Sequence, residues 1–229
     1  MILIDGDIIA YRCAFGSKNQ RLVEALDAVD ELILYILDEC SFKTGNKDHK
    51  IYLTGGGNFR NEFAKTAVYK GNRKSAEKPA HLADIREHLQ EVWWAEVSMG
   101  EEADDLIAKA ATEFGEDGVI ASVDKDMLQI PAYHFNITKA TWKKVREQDG
   151  LHYFYTQILT GDSADNIVGL YNIGPKKAEK ILDGASTEEE LWDKAIKAYE
   201  GDEDRVVENA RLLWLRRYEG EIWQPPHMR

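Results

Sequence analysis

Three segments of this 229-residue chain set carboxylates beside apolar runs: GEEADD at 100–105, SVDKDM at 122–127 and GDSADN at 161–166. They hold Glu101, Glu102, Asp104, Asp105, Asp124, Asp126, Asp162 and Asp165 against a single lysine, Lys125. A salt-bridged surface would interleave basic residues with the acids. Taken one at a time, the segments have an ordinary reading: acids in a first helical turn suit the dipole, and SVDKD suits a turn. Taken together, carboxylates converging on one place would repel and retain protons unless cations neutralised them. Hard oxygen donors with no Cys or His nearby select Mg²⁺ or Mn²⁺. A pair of such ions suits phosphodiester hydrolysis. Ca²⁺ storage competes with this reading, but the acids lack the 12-residue loop spacing of an EF-hand.

The elements that must carry these residues alternate. Ile2–Ile4 reads as a buried strand stopped by DGD, and Arg21–Cys40 has apolar residues at steps of three and four, an amphipathic helix. Ile51–Leu53 is a strand, Pro79–Gln90 a helix, Val92–Val97 a strand, and Glu101–Phe114 a helix on which Glu102 and Asp105 share a face. Val119–Ser122 and Phe135–Ile137 are further strands, with a short helix at Lys125–Ile130 between them. Such alternation predicts an α/β fold, a mostly parallel central sheet with helices on both faces. Sites in such sheets form beyond the carboxyl ends of the strands. Asp5 and Asp7 follow the first strand and Asp124 and Asp126 a later one, so two distant acid pairs share a rim. After about residue 150 the pattern turns helical, around Tyr155–Leu159, Pro175–Leu182, Thr187–Tyr199 and Asp204–Tyr218, and IWQPPHMR reads as a loose tail.

Two stretches offer positive charge. Residues 59–78 hold Arg60, Lys65, Lys70, Arg73, Lys74 and Lys78 against Glu62 and Glu77; a solvated loop and a phosphate clamp are both open, with Phe63 and Tyr69 able to stack on unpaired bases. IGPKKAEKI at 173–181 places Gly174 and a proline at the head of a helix bearing Lys176 and Lys177, an arrangement suited to an anion. The net charge of −12 argues by itself against a nucleic-acid partner, but it is a weak guide when acids are clustered for another purpose. The 44% hydrophobic and 31% charged composition is that of a folded soluble chain. No run approaches a membrane span, and MILIDGDIIAYR has no basic n-region, so a signal peptide is not expected. Cys13 and Cys40 make no metal or disulfide pattern, and a reducing cytoplasm, bacterial or phage-infected, is the expected home.

The segments LIDGDIIAYR, YKGNRK, GEEADDLIA, SVDKDMLQI, TGDSADNIVG and YNIGPKKAEKIL occur in an order and at spacings that make residues 1–185 resemble the 5′-nuclease family. These are the flap endonucleases and 5′–3′ exonuclease domains of bacterial and phage replication, and the short standalone form is most like a phage-type enzyme. The resemblance implies a PIN-like nuclease core over 1–150 with a basic arch or clamp at about 59–90. Over 151–229 it implies a helical DNA-binding region with a helix–hairpin–helix module at about 164–183. It implies a metal site from Asp5, Glu102, Asp104, Asp105, Asp124, Asp126, Asp162 and Asp165, holding two or more Mg²⁺ or Mn²⁺ ions. Lys70 and Arg73 would contact the scissile phosphate and, with Asp124 and Asp126, carry the catalysis. Tyr69 would lie near the unpaired end, Lys74, Gly174, Lys176 and Lys177 on the DNA backbone, and a K⁺ ion at the hairpin. The implied activity is a structure-specific 5′ nuclease, a monomer acting on 5′ flaps, nicks or duplex ends of DNA or on RNA–DNA hybrid, beside replication proteins. The family has an Asp after its second strand where this chain has Thr54, and Asp7 is a candidate to compensate. A catalytically silent DNA-junction binder of the same fold is the alternative that Thr54 supports. A toxin-like ribonuclease of the related single-domain fold is the other rival, and the helical C-terminal half argues against it.

Overall fold

The structure, a computed structural model, describes residues 1–73 and 78–229. Its chain divides into two compact units, Met1–Asn58 with Glu77–Val145, and Phe59–Ala76 with Arg146–Arg229. The division differs from a simple cut near residue 150: the basic segment at 59–76 belongs with the helical unit.

The first unit is built on strands β1 (Ile2–Asp5), β2 (His49–Leu53), β3 (Glu96–Val97), β4 (Val119–Ala121), β5 (Ala132–Asn136) and β6 (Thr141–Val145), in the order β3-β2-β1-β4-β5-β6. All neighbours are parallel except β5 and β6. Ile2, Ile4, Ile51 and Leu53 point to one face and pack with helices α1 (Gly6–Gly16), α2 (Leu22–Thr44) and α3 (Leu82–Glu91). Strand alternation sends Leu3, Tyr52 and Ile120 to the opposite face, where all three are buried and α4 (Ala103–Phe114) packs on β1, β2 and β4.

Three elements differ from the sequence reading. DGD does not turn: Asp5 caps α1, which starts at once. The expected strand at Val92–Val97 shrinks to Glu96–Val97, because α3 ends through Trp94 in the left-handed region (φ 51°) with the Ala95 amide donated back to Leu89. β6 has no strand signal in the sequence, because the adjacent lysines of TWKKV break the apolar alternation at a sheet edge.

In the second unit, α5 (Glu147–Thr160) leads into a tiny antiparallel pair, β7 (Gly161–Asp162) and β8 (Ile167–Val168), then α6 (Pro175–Leu182), α7 (Glu188–Ala198) and α8 (Glu203–Leu213). Residues 164–174 are therefore not a first helix of a module at 164–183; the helices flanking the turn are α5 and α6. The hairpin is possible because Gly161 has φ 66° and a Cβ there would stand 2.3 Å from the Ile167 carbonyl oxygen. Within the arch or clamp expected at about 59–90, the described residues 63–73 form turns and bends, and the described helix begins at Leu82 in the other unit; residues 74–77 lie outside the described residues. α8 stops at Leu213, short of Tyr218, because the buried Arg60 guanidinium takes the Leu212 and Trp214 carbonyls (2.9 and 2.8 Å). The expected loose tail is packed: Trp223 is 3% exposed against Phe154 and Trp192, and Arg229 pairs with Glu188 at 2.6 Å. Among the described residues no helix is long and apolar enough to cross a membrane.

Trp223→Ala removes a fully enclosed indole from this core and is expected to destabilise the unit by about 3 kcal/mol. Urea unfolding followed by circular dichroism should show an earlier transition, and an unmoved midpoint would mean that the tail is not part of the core.

Candidate metal centre and phosphate-binding segment

Strand register places the first carboxylates. β1 pairs with β4 as far as Ile4 and Ala121, so the next residues, Asp5 and Ser122, meet at the carboxyl rim. Ser122 Oγ donates to Asp5 Oδ2 (2.8 Å), and the Ile8 amide donates to Asp5 Oδ1 (3.1 Å). Ser122 Oγ also accepts from the Asp124 amide (3.0 Å), and Asp124 Oδ1 accepts from the Asp126 amide (2.8 Å), opening a 3₁₀ turn at Lys125–Gln129. Ser122 thus joins two acid pairs. It was missed in the sequence, although a serine two residues before an aspartate is a local turn signal.

α4 supplies the rest. Glu102 is its N-cap, Asp104 and Asp105 lie in its first turn, and Asp105 Oδ2 accepts the Glu102 amide (3.1 Å). Burial, opposed by the Ile8 and Ser122 hydrogen bonds and helped by repulsion from Asp7 and Asp124, pushes the Asp5 carboxyl up to about 7. Burial also raises Asp104 well above the usual carboxylate range, with repulsion from Asp5, Asp124, Glu102 and Asp105 adding to it. Five carboxylates from three elements therefore feel one another through a desolvated space. Glu101 is separate, paired with Lys109 at 2.6 Å. Among the described residues no three His, Cys, Asp or Glu side chains close on a single point as they stand, so the fit to a cation is one of chemistry. The donors are hard oxygens, and a divalent ion would relieve the cost of ionising Asp5 and Asp104.

Thr54 and Asp7 have other partners. Thr54 Oγ1 accepts the Ala103 amide at the start of α4 (3.0 Å). Asp7 accepts the Thr54 amide on Oδ2 (2.9 Å) and the Arg86 guanidinium on Oδ1. Asp7 as a compensating ligand is corrected on this ground: both oxygens are already engaged, one of them by a cation. No local pattern in the sequence points to Arg86.

In the second unit, Asp162 is buried with Oδ1 on the Ala164 amide (2.7 Å). Asp165 gathers the basic segment: Arg73 Nη2 lies at 2.6 Å, Tyr69 Oη at 3.0 Å and Lys70 Nζ at 3.6 Å, and the Asp165 carbonyl accepts the Lys70 amide (2.8 Å). Asn72 and Asn166 add bonds to the Ser163 and Val68 carbonyls (2.5 and 2.8 Å). Lys70 itself sits at φ 54°, a strained conformation that these bonds hold. Tyr69 is corrected as a base-stacking residue: it is 7% exposed, its hydroxyl is on Asp165, and the Lys70 ammonium lies 5.0 Å from its ring centre. Phe63 packs against the core with Arg211 over its ring. Lys74 lies outside the described residues. Gly174 caps α6, Lys176 is exposed, and Lys177 Nζ donates to the Asn172 carbonyl (2.8 Å), stiffening the turn before that helix.

A parallel α/β core with acids on its carboxyl rim and a helical unit with a basic, acid-latched segment define a nuclease-type architecture. The family model described as "5′-3′ exonuclease, N-terminal resolvase-like domain" matches residues 1–157; the chain belongs to the 5′-3′ exonuclease family. The 5′-3′ exonuclease of Buchnera aphidicola subsp. Schizaphis graminum is 30% identical over 202 residues, 80% of this chain and 69% of the relative. Flap endonuclease Xni of Vibrio campbellii is 31% identical over 167 residues, 63% of this chain and 62% of the relative. In the Xni relative from Shewanella piezotolerans the matched part is 50% of its length, so this chain spans about half to two thirds of several curated relatives. A bacteriophage T5 flap endonuclease in a complex with DNA and metal ions shares the fold, with TM-score 0.70 and 19% identity over 95% of this chain and 89% of that one. A T5 5′-exonuclease with bound zinc ions also has TM-score 0.70, at 19% identity over 93% of this chain and 88% of that one.

Because the Asp5 carboxyl is raised in the folded state, it keeps its proton where the unfolded chain has lost it. Its contribution to stability is full below about 4 and is lost as pH rises to about 7. Asp5→Asn, which cannot ionise, should therefore gain stability over the parent across that window in EDTA and level off above it. Urea unfolding at a series of pH values checks this, and a difference that does not grow with pH would show that Asp5 is not desolvated.

Proposed function

We propose that the chain is a divalent-metal-dependent, structure-specific 5′ nuclease, a 5′–3′ exonuclease or flap endonuclease, cutting phosphodiester bonds at 5′ ends and junctions of DNA or RNA–DNA hybrid. The observation that carries this reading is the cluster of Asp5 and Asp104, both desolvated, with Glu102, Asp105 and Asp124 within repulsive range of Asp104, in a chain of the 5′-3′ exonuclease family. Two Mg²⁺ or Mn²⁺ ions are the proposed cofactors, with Asp126 beside that set; Asp162 and Asp165 join them only on the family resemblance, since Asp165 is paired with Lys70 and Arg73 in this structure. Bound there, they would supply a water of lowered pKa and neutralise charge on the departing 3′ oxygen.

The chain's own cations do the rest. Lys70 and Arg73 are oriented by a carboxylate, Asp165, and a phosphodiester presents the same paired, negative oxygens. Fixed donors aimed at such oxygens stabilise charge as it develops. The turn before α6, with Gly174, Lys176 and Lys177, would hold the duplex by its backbone, so cleavage should depend on shape more than on sequence. A K⁺ ion at that turn, action as a monomer in the cytoplasm and docking of replication proteins belong to the same proposal. What supports DNA as substrate is the relatives named flap endonuclease and the T5 neighbour in complex with DNA.

The test is a 5′-flapped duplex labelled at the flap end, incubated with Mg²⁺ and then with EDTA. We expect metal-dependent cleavage near the junction, abolished in Asp162→Asn/Asp165→Asn and reduced by about 10²-fold in Arg73→Ala at saturating Mg²⁺. Tight binding without cleavage at any Mg²⁺ or Mn²⁺ concentration would identify a silent junction binder instead.

A further inference from the structure

Arg86 sends its two terminal nitrogens to two different elements. Nη1 meets the Asp7 carboxylate in the first turn of α1, and Nη2 donates to the Thr54 carbonyl oxygen just past β2 (2.6 Å). The second Asp7 oxygen takes the Thr54 amide (2.9 Å), so Asp7, Arg86 and the two sides of Thr54 form a closed set of hydrogen bonds. The Thr54 hydroxyl is left to accept the Ala103 amide, the first residue of α4 (3.0 Å). α4 is the helix whose cap and first turn carry Glu102, Asp104 and Asp105. Asp7 is also near enough to Asp5 to repel its charge.

The Arg86 and Asp7 side chains are only 25% and 23% exposed, which sets them apart from a solvated surface pair. A planar fork is needed to reach a carboxylate and a carbonyl at once, and lysine lacks it. Fixing a backbone segment whose hydroxyl caps the ligand-bearing helix is what an outer partner of a metal site does.

We propose that Arg86 is a positioning residue for the divalent-metal site: its fork sets the Thr54 peptide, and the Thr54 hydroxyl sets the N-terminus of α4 and its carboxylates. The inference rests on the metal-dependent reading above. It gives Asp7 a defined duty outside the ligand set, and it gives the Thr54 hydroxyl one at the start of α4.

The test is calorimetric titration of Mn²⁺ into the metal-free full chain and its variants, with circular dichroism confirming that each is folded at the titration temperature. Arg86→Gln and Thr54→Val should each weaken Mn²⁺ binding about tenfold or more. Thr54→Ser, which keeps the hydroxyl, should restore it relative to Thr54→Val. In cleavage assays the Mn²⁺ needed for half-maximal rate should rise by the same factor, with the rate recovered at saturation. If Arg86→Gln does not fold, the Val and Ser variants at position 54 carry the comparison. Parental Mn²⁺ affinity in Arg86→Gln and Thr54→Val, or tighter binding through a released Asp7, would overturn the proposal. Absence of Mn²⁺ binding in the parent would overturn it together with the metal-dependent reading, whereas Mn²⁺ binding without cleavage of flapped DNA would remove the nuclease reading alone.

Discussion

Asp5 ends the central strand with one carboxylate oxygen on the Ile8 amide and the other on the Ser122 hydroxyl. Two neutral donors are modest support for a charge taken out of water. The same carboxylate caps α1, reaches across the β1–β4 register to the strand end that leads to Asp124, and lies within repulsive range of the first turn of α4. Three chain segments therefore converge on a group that the fold alone does not neutralise. The helix dipoles of α1 and α4 point favourable ends at this place, but their contribution falls short of the desolvation that raises Asp5 and Asp104. An arrangement of this kind is stable enough to fold and incomplete as electrostatics, which is the condition under which an added cation binds.

Several other acids are matched within the protein. Glu101 has Lys109, Asp7 has Arg86, Asp165 has Lys70 and Arg73, and Glu208 accepts the Lys65 and Thr66 amides beside Arg205. Glu101 stands one residue before Glu102 in sequence, and it meets Lys109, eight residues along the chain. The distinction between a carboxylate held by a side chain and one left for a cation is therefore made by tertiary placement.

That is also where the sequence stopped being legible. The alternation of apolar runs gave the sheet and most helices, since burial on one face fixes periodicity whatever the partner. The acids on the rim followed from strand ends. Arg60, Arg86 and Tyr69 could not be placed the same way: the first is buried by carbonyls more than 150 positions away, the second joins three elements, and the third, which reads as able to stack on a base, is enclosed with its hydroxyl on Asp165. Short elements such as β3, β7 and β8 were lost or misread because two residues leave no period to detect. The terminal IWQPPHMR reads as a loose tail, and only the enclosure of Trp223 reveals its place in the core.

The interleaving of the two units has a temporal meaning. Residues 59–73 are anchored through Arg60 to Leu212 and Trp214, and through Arg73 to Asp165, at separations of 152, 154 and 92 positions. During vectorial synthesis the first unit has all its strands once residue 145 has emerged. The basic segment by then has long left the ribosome, without the carbonyls that seat Arg60. Lys70 and Arg73 thus gain their fixed geometry only after Asp165 has followed, so a nascent chain has a formed sheet before its basic segment is ordered.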